Sequence, residues 1–274
     1  MIEHTFCHIP GIGPATESKL WAQGVRSWSD VDLGPWRGAR SELMREHAKR
    51  ALMALEANDA RYFHREFPAR EHWRLFPAFR GGAAYLDIET TGLGDVDDFV
   101  TAIALYDGTK VRTYVHGRNM EEFEIDVADY DLLITFNGKS FDIPMIRRML
   151  RVDLDQAHID LMYVLRGIGL RGGLKAIERR LGYDRAEMSD VDGYFAVILW
   201  REFERTRDER VLETLLAYNV QDVLNLEPLM VHAFNEKVRA TPFFDLALPE
   251  PRVSPNPFKA HRDVIDRLRR PFFW

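Results

Sequence analysis

The chain has 274 residues and a single cysteine, Cys7, so an intrachain disulfide is excluded. Such sparing use of cysteine suits a reducing compartment. The opening Met1-Ile2-Glu3-His4 also lacks the basic and apolar texture of a secretory leader, so we expect a cytoplasmic protein. The nine histidines are scattered without the paired spacing of a zinc site. No apolar run approaches the roughly 20 residues needed to span a bilayer, and no membrane association is expected. Internal repeats and low-complexity tracts are absent as well. The remaining composition, 46% hydrophobic and 29% charged, is globular. It suffices for one sizeable domain and an appendage.

Basic residues are in slight deficit, giving a net charge of −6, but the deficit is local. Residues 81–160 hold 16 acidic and 7 basic side chains, whereas Arg166, Arg171, Lys175, Arg179 and Arg180 face only Glu178 over the following stretch. An acidic centre beside a basic patch is what a metal site facing a phosphate track requires. Alternating acidic loops and solvated helix faces would give the same distribution.

The texture divides the chain into three regions: 1–80, 81–235 and 236–274. The first reads as helical, with Leu43, Ala51, Leu52 and Leu55 recurring among charges over 39–57. Phe67-Pro68, Phe76-Pro77 and Gly81-Gly82 then punctuate it. Strands are expected at 83–88, 99–106, 111–115 and 132–136, with the turn Asp107-Gly108 joining the second and third. Helices are expected from Asp142 to about Leu150, with Pro144 in the first turn, and at roughly 160–166, 173–181, 191–206 and 209–233. A strand meander followed by strand–helix alternation points to a mixed α/β domain of ribonuclease H type, preceded by a small helical region. The proline-rich last region carries a basic segment, 262–270, with the texture of a short helix, and ends in Pro271-Phe272-Phe273-Trp274.

Four carboxylates lie in three short motifs of the middle region. In Leu86-Asp87-Ile88-Glu89-Thr90-Thr91-Gly92, strand alternation sends Asp87 and Glu89 to one face and Leu86 and Ile88 to the other. Two like charges on a buried strand repel and are costly to desolvate, and a cation between them removes both problems. A strand end becoming exposed is the alternative. In Asn137-Gly138-Lys139-Ser140-Phe141-Asp142 a strand turns into a helix, where Asp142 would also serve as an N-terminal cap and Lys139 as a solvated lysine or a phosphate contact. In Tyr218-Asn219-Val220-Gln221-Asp222 the tyrosine and aspartate share one helix face. Tyr218 would equally be a core aromatic with its hydroxyl satisfied.

The three motifs in this order resemble the DEDD 3′–5′ exonuclease superfamily in its tyrosine-bearing branch. The first is similar to the Exo I pattern of family B DNA polymerase proofreading domains, the second to Exo II and the third to Exo III. Residues 136–144 and 218–228 most resemble the stand-alone YprB-like group of ribonuclease H-fold proteins. The resemblance covers roughly 80–235. It implies that Asp87, Glu89, Asp142 and Asp222 are ligands of two Mg²⁺ or Mn²⁺ ions and that Tyr218 orients the attacking water. No histidine lies five residues before Asp222, unlike the histidine-bearing branch.

Thr90, Asn137, Lys139 and Lys175 are the substrate contacts we expect, Lys175 because Gly172-Gly173-Leu174-Lys175 opens a helix whose N–H groups favour phosphate. Asp160 reads as a helix cap or an outer-shell partner. Ile9-Pro10-Gly11-Ile12-Gly13-Pro14 with Ala15 to Gln23 resembles the hairpin and second helix of a helix–hairpin–helix motif, which offers backbone N–H groups to a DNA phosphate. Only eight residues precede Ile9, so the first helix shrinks to a turn or two, and a tight turn between packed segments is the alternative. The function these features imply is metal-dependent 3′–5′ exonucleolysis of a single-stranded nucleic acid end, with DNA slightly favoured over RNA. A non-catalytic nucleic-acid-binding module and a structure-specific endonuclease on the same fold are the rivals.

Overall fold

The computed structural model of the chain describes residues 1–92, 95, 97–183 and 193–269. The aromatic end 271–274 and the first two residues of the helix expected at 191 lie outside them. Three strands form an antiparallel meander, β1 (Ala83–Thr90), β2 (Val100–Tyr106) and β3 (Val111–Val115). Two further strands, β4 (Leu132–Thr135) and β5 (Ala157–Asp160), run parallel to β1, giving the order β3-β2-β1-β4-β5. This is the mixed sheet of a ribonuclease H-like fold. Four strands match the sequence expectation within two residues. β5 was not expected: Ala157-His158-Ile159-Asp160 is too short and mixed to announce itself, and it becomes a strand by pairing with β4.

The N-terminal region is helical, with α1 (Pro14–Ala22), α2 (Ala39–Glu56), α3 (Ala60–Glu66) and the short α4 (Phe76–Phe79). A 3₁₀ turn, Ile2–His4, stands where the first helix of a helix–hairpin–helix would be. The hairpin itself buries Ile9 and Ile12 and exposes Pro10 and Gly11, and Gly11 takes φ +80° at its tip. After the meander come α5 (Glu122–Val127), α6 (Asp142–Leu150), α7 (Leu161–Arg166), α8 (Leu174–Leu181), α9 (Gly193–Thr206) and α10 (Glu209–Arg239). Basic α11 (Arg262–Arg269) closes the described chain. α10 outlasts its expected end at residue 233, continuing through Pro228 to Arg239. Almost every residue of its middle is buried, so tertiary packing outweighs the proline's lost N–H.

The sheet has helices on both faces. Leu86, Ile88, Ile103 and Leu105 point towards α5 and α6, packing on Phe123, Val127, Ile143 and Ile146. On the opposite face Tyr85, Ala104, Tyr106 and Ile134 pack under α10 through Val220, Val223 and Leu224. The same apolar cluster continues without a break into the N-terminal helices, through Phe234, Trp73, Phe76 and Phe6. The C-terminal segment lies along α10, held by Asn256 donating to the Ala217 carbonyl (2.7 Å) and by the His261–Glu213 pair (2.6 Å).

Candidate metal centre

Strand alternation places Asp87 and Glu89 on the α10 face of β1, three positions and one position before its last residue, Thr90. The β1–β2 register slips between Glu89 and Thr90, a bulge that ends the pairing where the chain must turn. Opposite them, the buried middle of α10 presents Asp222. Oxygens of Asp87, Glu89 and Asp222 all lie within 4.8 Å of one another. Glu89 and Asp222 are each 8% exposed. Three anions so close in a poorly solvated spot are unfavourable by themselves. Burial, then the charges of Asp222, Asp142 and Glu89, push the Asp87 carboxyl well above its ordinary range. Burial and Asp222 do the same to Glu89, partly relieved by Lys175. All donors are hard carboxylate oxygens, the set Mg²⁺ and Mn²⁺ prefer, and a divalent cation converts their repulsion into attraction.

Asp142 is buried beside this group, as the first residue of α6. It does not cap that helix: Phe141 occupies the capping position, and the Asp142 Oδ1 instead accepts from the Ile88 N–H at 3.2 Å, between Asp87 and Glu89. The capping alternative is therefore corrected. The carboxylate is drawn across to β1 because α6 packs against the sheet. Burial pushes its pKa up to about 7, with Asp160 and Asp222 adding to the rise and the Ile88 N–H opposing it.

The loop from β4 to α6 is shaped by backbone constraints. Asn137 adopts φ +64°, and a Cβ on Gly138 would stand 2.3 Å from the Thr135 hydroxyl, so only glycine fits there. Asp160 does cap α7, accepting from Met162 N–H at 3.1 Å, but the same carboxylate also accepts from the N–H groups of Asn137 (2.9 Å) and Lys139 (3.1 Å). It thereby fixes the loop that delivers Asp142. The Lys139 side chain lines a cavity with His72 and His158 behind that loop. Thr90 is buried, its hydroxyl donating to the Gly92 carbonyl at 2.5 Å. Tyr218 is 4% exposed, and the Lys175 ammonium stands 4.3 Å from its ring centre. Lys175 thus joins α8 to the carboxylate group.

One residue of the site was inside a motif yet given no role by the sequence. Asn219 is fully buried and donates from its amide to the Asp87 Oδ2 at 2.8 Å. The available signal was its position three residues before Asp222, on the same helix face.

With this geometry in view, likenesses to known proteins can be placed. A family model described as the RNase_H superfamily matches residues 84–234, from β1 to near the end of α10. An uncharacterized protein, YprB of Bacillus subtilis (strain 168), is 28% identical over 170 residues, which are 54% of this chain and 41% of that protein. The chain therefore spans less than half the length of that relative. The family B DNA polymerase of the hyperthermophilic archaeon Pyrobaculum calidifontis aligns at a TM-score of 0.43 and 20% identity, over 57% of this chain and 24% of the polymerase. The family match begins one residue into the strand that carries Asp87 and Glu89 and takes in the helix that carries Asp222, and by it the chain belongs to the RNase_H superfamily.

Proposed function

We propose that the protein is a metal-dependent 3′–5′ exonuclease acting on a single-stranded nucleic acid end. The observation that carries this reading is the convergence of Asp87, Glu89 and Asp222 within 4.8 Å, with Asp142 buried alongside. Asp87, Glu89, Asp142 and Asp222 would hold two divalent ions. Bound there, such ions supply Lewis acidity for hydrolysis of a phosphodiester and charge stabilisation for the leaving 3′ oxygen. The remaining work falls to side chains. Asn219 holds the Asp87 carboxylate in one orientation. Tyr218 orients the attacking water through its hydroxyl, because a phenol with an ordinary pKa near 10 is a poor base at neutral pH. Lys175 backs the Tyr218 ring and supplies positive charge for the phosphate. Thr90, the last residue of β1, and Asn137, in the loop from β4 to α6, flank the carboxylates, where a strand's last nucleotide would lie.

The test is incubation of the purified protein with 5′-labelled single-stranded DNA and RNA in Mn²⁺, then in EDTA. The expected result is a ladder shortening from the 3′ end in Mn²⁺ only, with nucleoside 5′-monophosphate released and circular single strands left intact. Cleavage of the circles would replace exonuclease by endonuclease. No cleavage of any substrate, together with no calorimetric Mn²⁺ binding, would leave only a binding module. Replacing Asn219 with Leu should weaken Mn²⁺ binding in the same calorimetric titration by about 10–100-fold, the usual cost of losing a partner that orients a metal ligand. An unchanged affinity would remove Asn219 from that role.

A further inference from the structure

Behind the loop that delivers Asp142 lies a cavity of about 290 Å³, between the N-terminal helical region and the β5 edge of the sheet. Its walls bring together Arg70, His72, Lys139, His158, Tyr163 and Lys237, from five separate parts of the chain. Lys139 and Lys237 form no ion pair among the described residues, and Arg70 reaches only Glu71, at 3.6 Å, with a side chain that is 70% exposed.

Lys237 is the informative one. Its ammonium stands over Trp73, 5.4 Å from the ring centre, and would lie 3.2 Å from a Cβ at Gly167. Burial lowers its pKa, and the nearby Glu71 only partly offsets this. Glu71 is already engaged by Arg74, at 2.9 Å. The one carboxylate in the wall, Asp160, spends its oxygens on three backbone N–H groups. The imidazoles are neutral hydrogen-bonding groups: burial pushes His158 down to about 3, and its Nε2 meets the Thr135 hydroxyl at 2.9 Å. Three cations thus surround a concave space whose single carboxylate, Asp160, is already taken up by backbone N–H groups. This is the mirror image of the carboxylate cluster one loop away, and it calls for an anion as that cluster calls for a cation. The rest of the wall is apolar, and Tyr163 is 49% exposed, an aromatic surface on which a base can stack, with the Arg166 guanidinium over its ring at 5.8 Å from the centre.

We propose that this cavity binds the phosphate of a nucleotide, with Lys139, Lys237 and Arg70 around the anion and the Tyr163 ring against the base. The phosphate comes from an internal position of a nucleic acid strand or from a free nucleoside monophosphate. The volume is at the small end for a ligand site, roughly 300–1,000 Å³, so it admits one nucleotide unit. The choice of a nucleotide over other phosphates rests on the nuclease reading above, but the site is separate from the carboxylates and is tested without metal.

The experiment uses the full chain in EDTA. Fluorescence anisotropy follows a labelled oligothymidylate, and calorimetry follows thymidine 5′-monophosphate. Lys237→Gln removes the charge and leaves a shorter, neutral polar side chain in its place. It should weaken one of the two ligands about tenfold, and Lys237→Arg should restore it. If the strand is the ligand, the slope of log affinity against log salt should also fall by about 0.7, the value for one phosphate on a single strand. Loss for the monophosphate alone assigns the site to the free nucleotide. Tyr163→Ala, at an exposed position, should weaken the same ligand about tenfold and serves if Lys237→Gln misfolds. Binding of both ligands by both variants as by wild type overturns the proposal, as does a wild type that binds neither. Failure of hydrolysis in Mn²⁺ with these losses intact would overturn the nuclease reading and leave the cavity standing.

Discussion

Glu89→Gln should melt at a higher temperature than the wild type in EDTA, and should lose most of the stabilisation that Mn²⁺ confers. Folding forces Glu89 against Asp87 and Asp222 in a poorly solvated site, and the carboxyl pKa values of Glu89 and Asp87 rise. A carboxyl whose folded pKa lies above its unfolded one destabilises the folded state as pH rises through the folded value. The metal-free wild type therefore becomes less stable as pH climbs above about 4, the ordinary carboxylate range, and the advantage of the variant grows with pH. Mn²⁺ acts in the opposite sense. It binds the deprotonated ligands, so its stabilising effect on the wild type should be larger at pH 8 than at pH 5.5. At a hundred times the dissociation constant that effect is about 2.7 kcal/mol, a rise of roughly 5–10 °C for a chain of this size. Hydrolysis of a labelled strand by Glu89→Gln should fall at least about a hundredfold. Differential scanning calorimetry at the two pH values checks the first claim. A variant with wild-type melting in EDTA and a full Mn²⁺ response would place Glu89 outside the cluster.

The second large effect lies far from the carboxylates. Glu17, on α1, has no exposed surface, and its carboxylate accepts from the Thr5 hydroxyl (2.7 Å), the Phe6 N–H (2.7 Å) and the Arg74 guanidinium (2.8 Å). Arg74 also binds Glu71 at 2.9 Å and lies over the ring of Trp73, 4.9 Å from its centre. Arg74→Met would leave the buried Glu17 carboxylate without its counter-charge and Glu71 with only the more distant Arg70, at 3.6 Å. The expected loss is about 3–5 kcal/mol, a fall in melting temperature of roughly 6–20 °C. Adding Glu17→Gln removes one stranded charge, so the double variant should lose less than the sum of the single changes. Urea midpoints followed by tryptophan fluorescence measure this directly, since Trp21 and Trp73 both border the guanidinium. Strict additivity would mean that the two groups do not act as a pair. The network ties Thr5 and Phe6 to the segment 69–74 that walls the cationic cavity, so the single variant should also weaken nucleotide binding there.

Much of the site was legible because its motifs obey local periodicities. A period of two puts Asp87 and Glu89 on one face whatever else the chain does, and a separation of four puts Tyr218 and Asp222 on one side of a helix. Local rules also produced the wrong option at Asp142, where helix-start statistics favour a cap. They were silent on Asn219, whose amide is informative only once α10 lies across β1.

What the one-dimensional chain decided, then, was the kind of element at each motif and the direction in which each acidic side chain leaves the backbone, since both follow from backbone geometry within a few residues. Tertiary structure alone decided which of those side chains meet. It turned a four-residue segment into β5 by offering it β4 as a partner, and it drew the Asp142 carboxylate onto the Ile88 N–H. It also gathered three cations from distant segments around one cavity. Such encounters depend on the packing of whole helices against the sheet, a contest of many small long-range terms that no window of neighbouring residues contains.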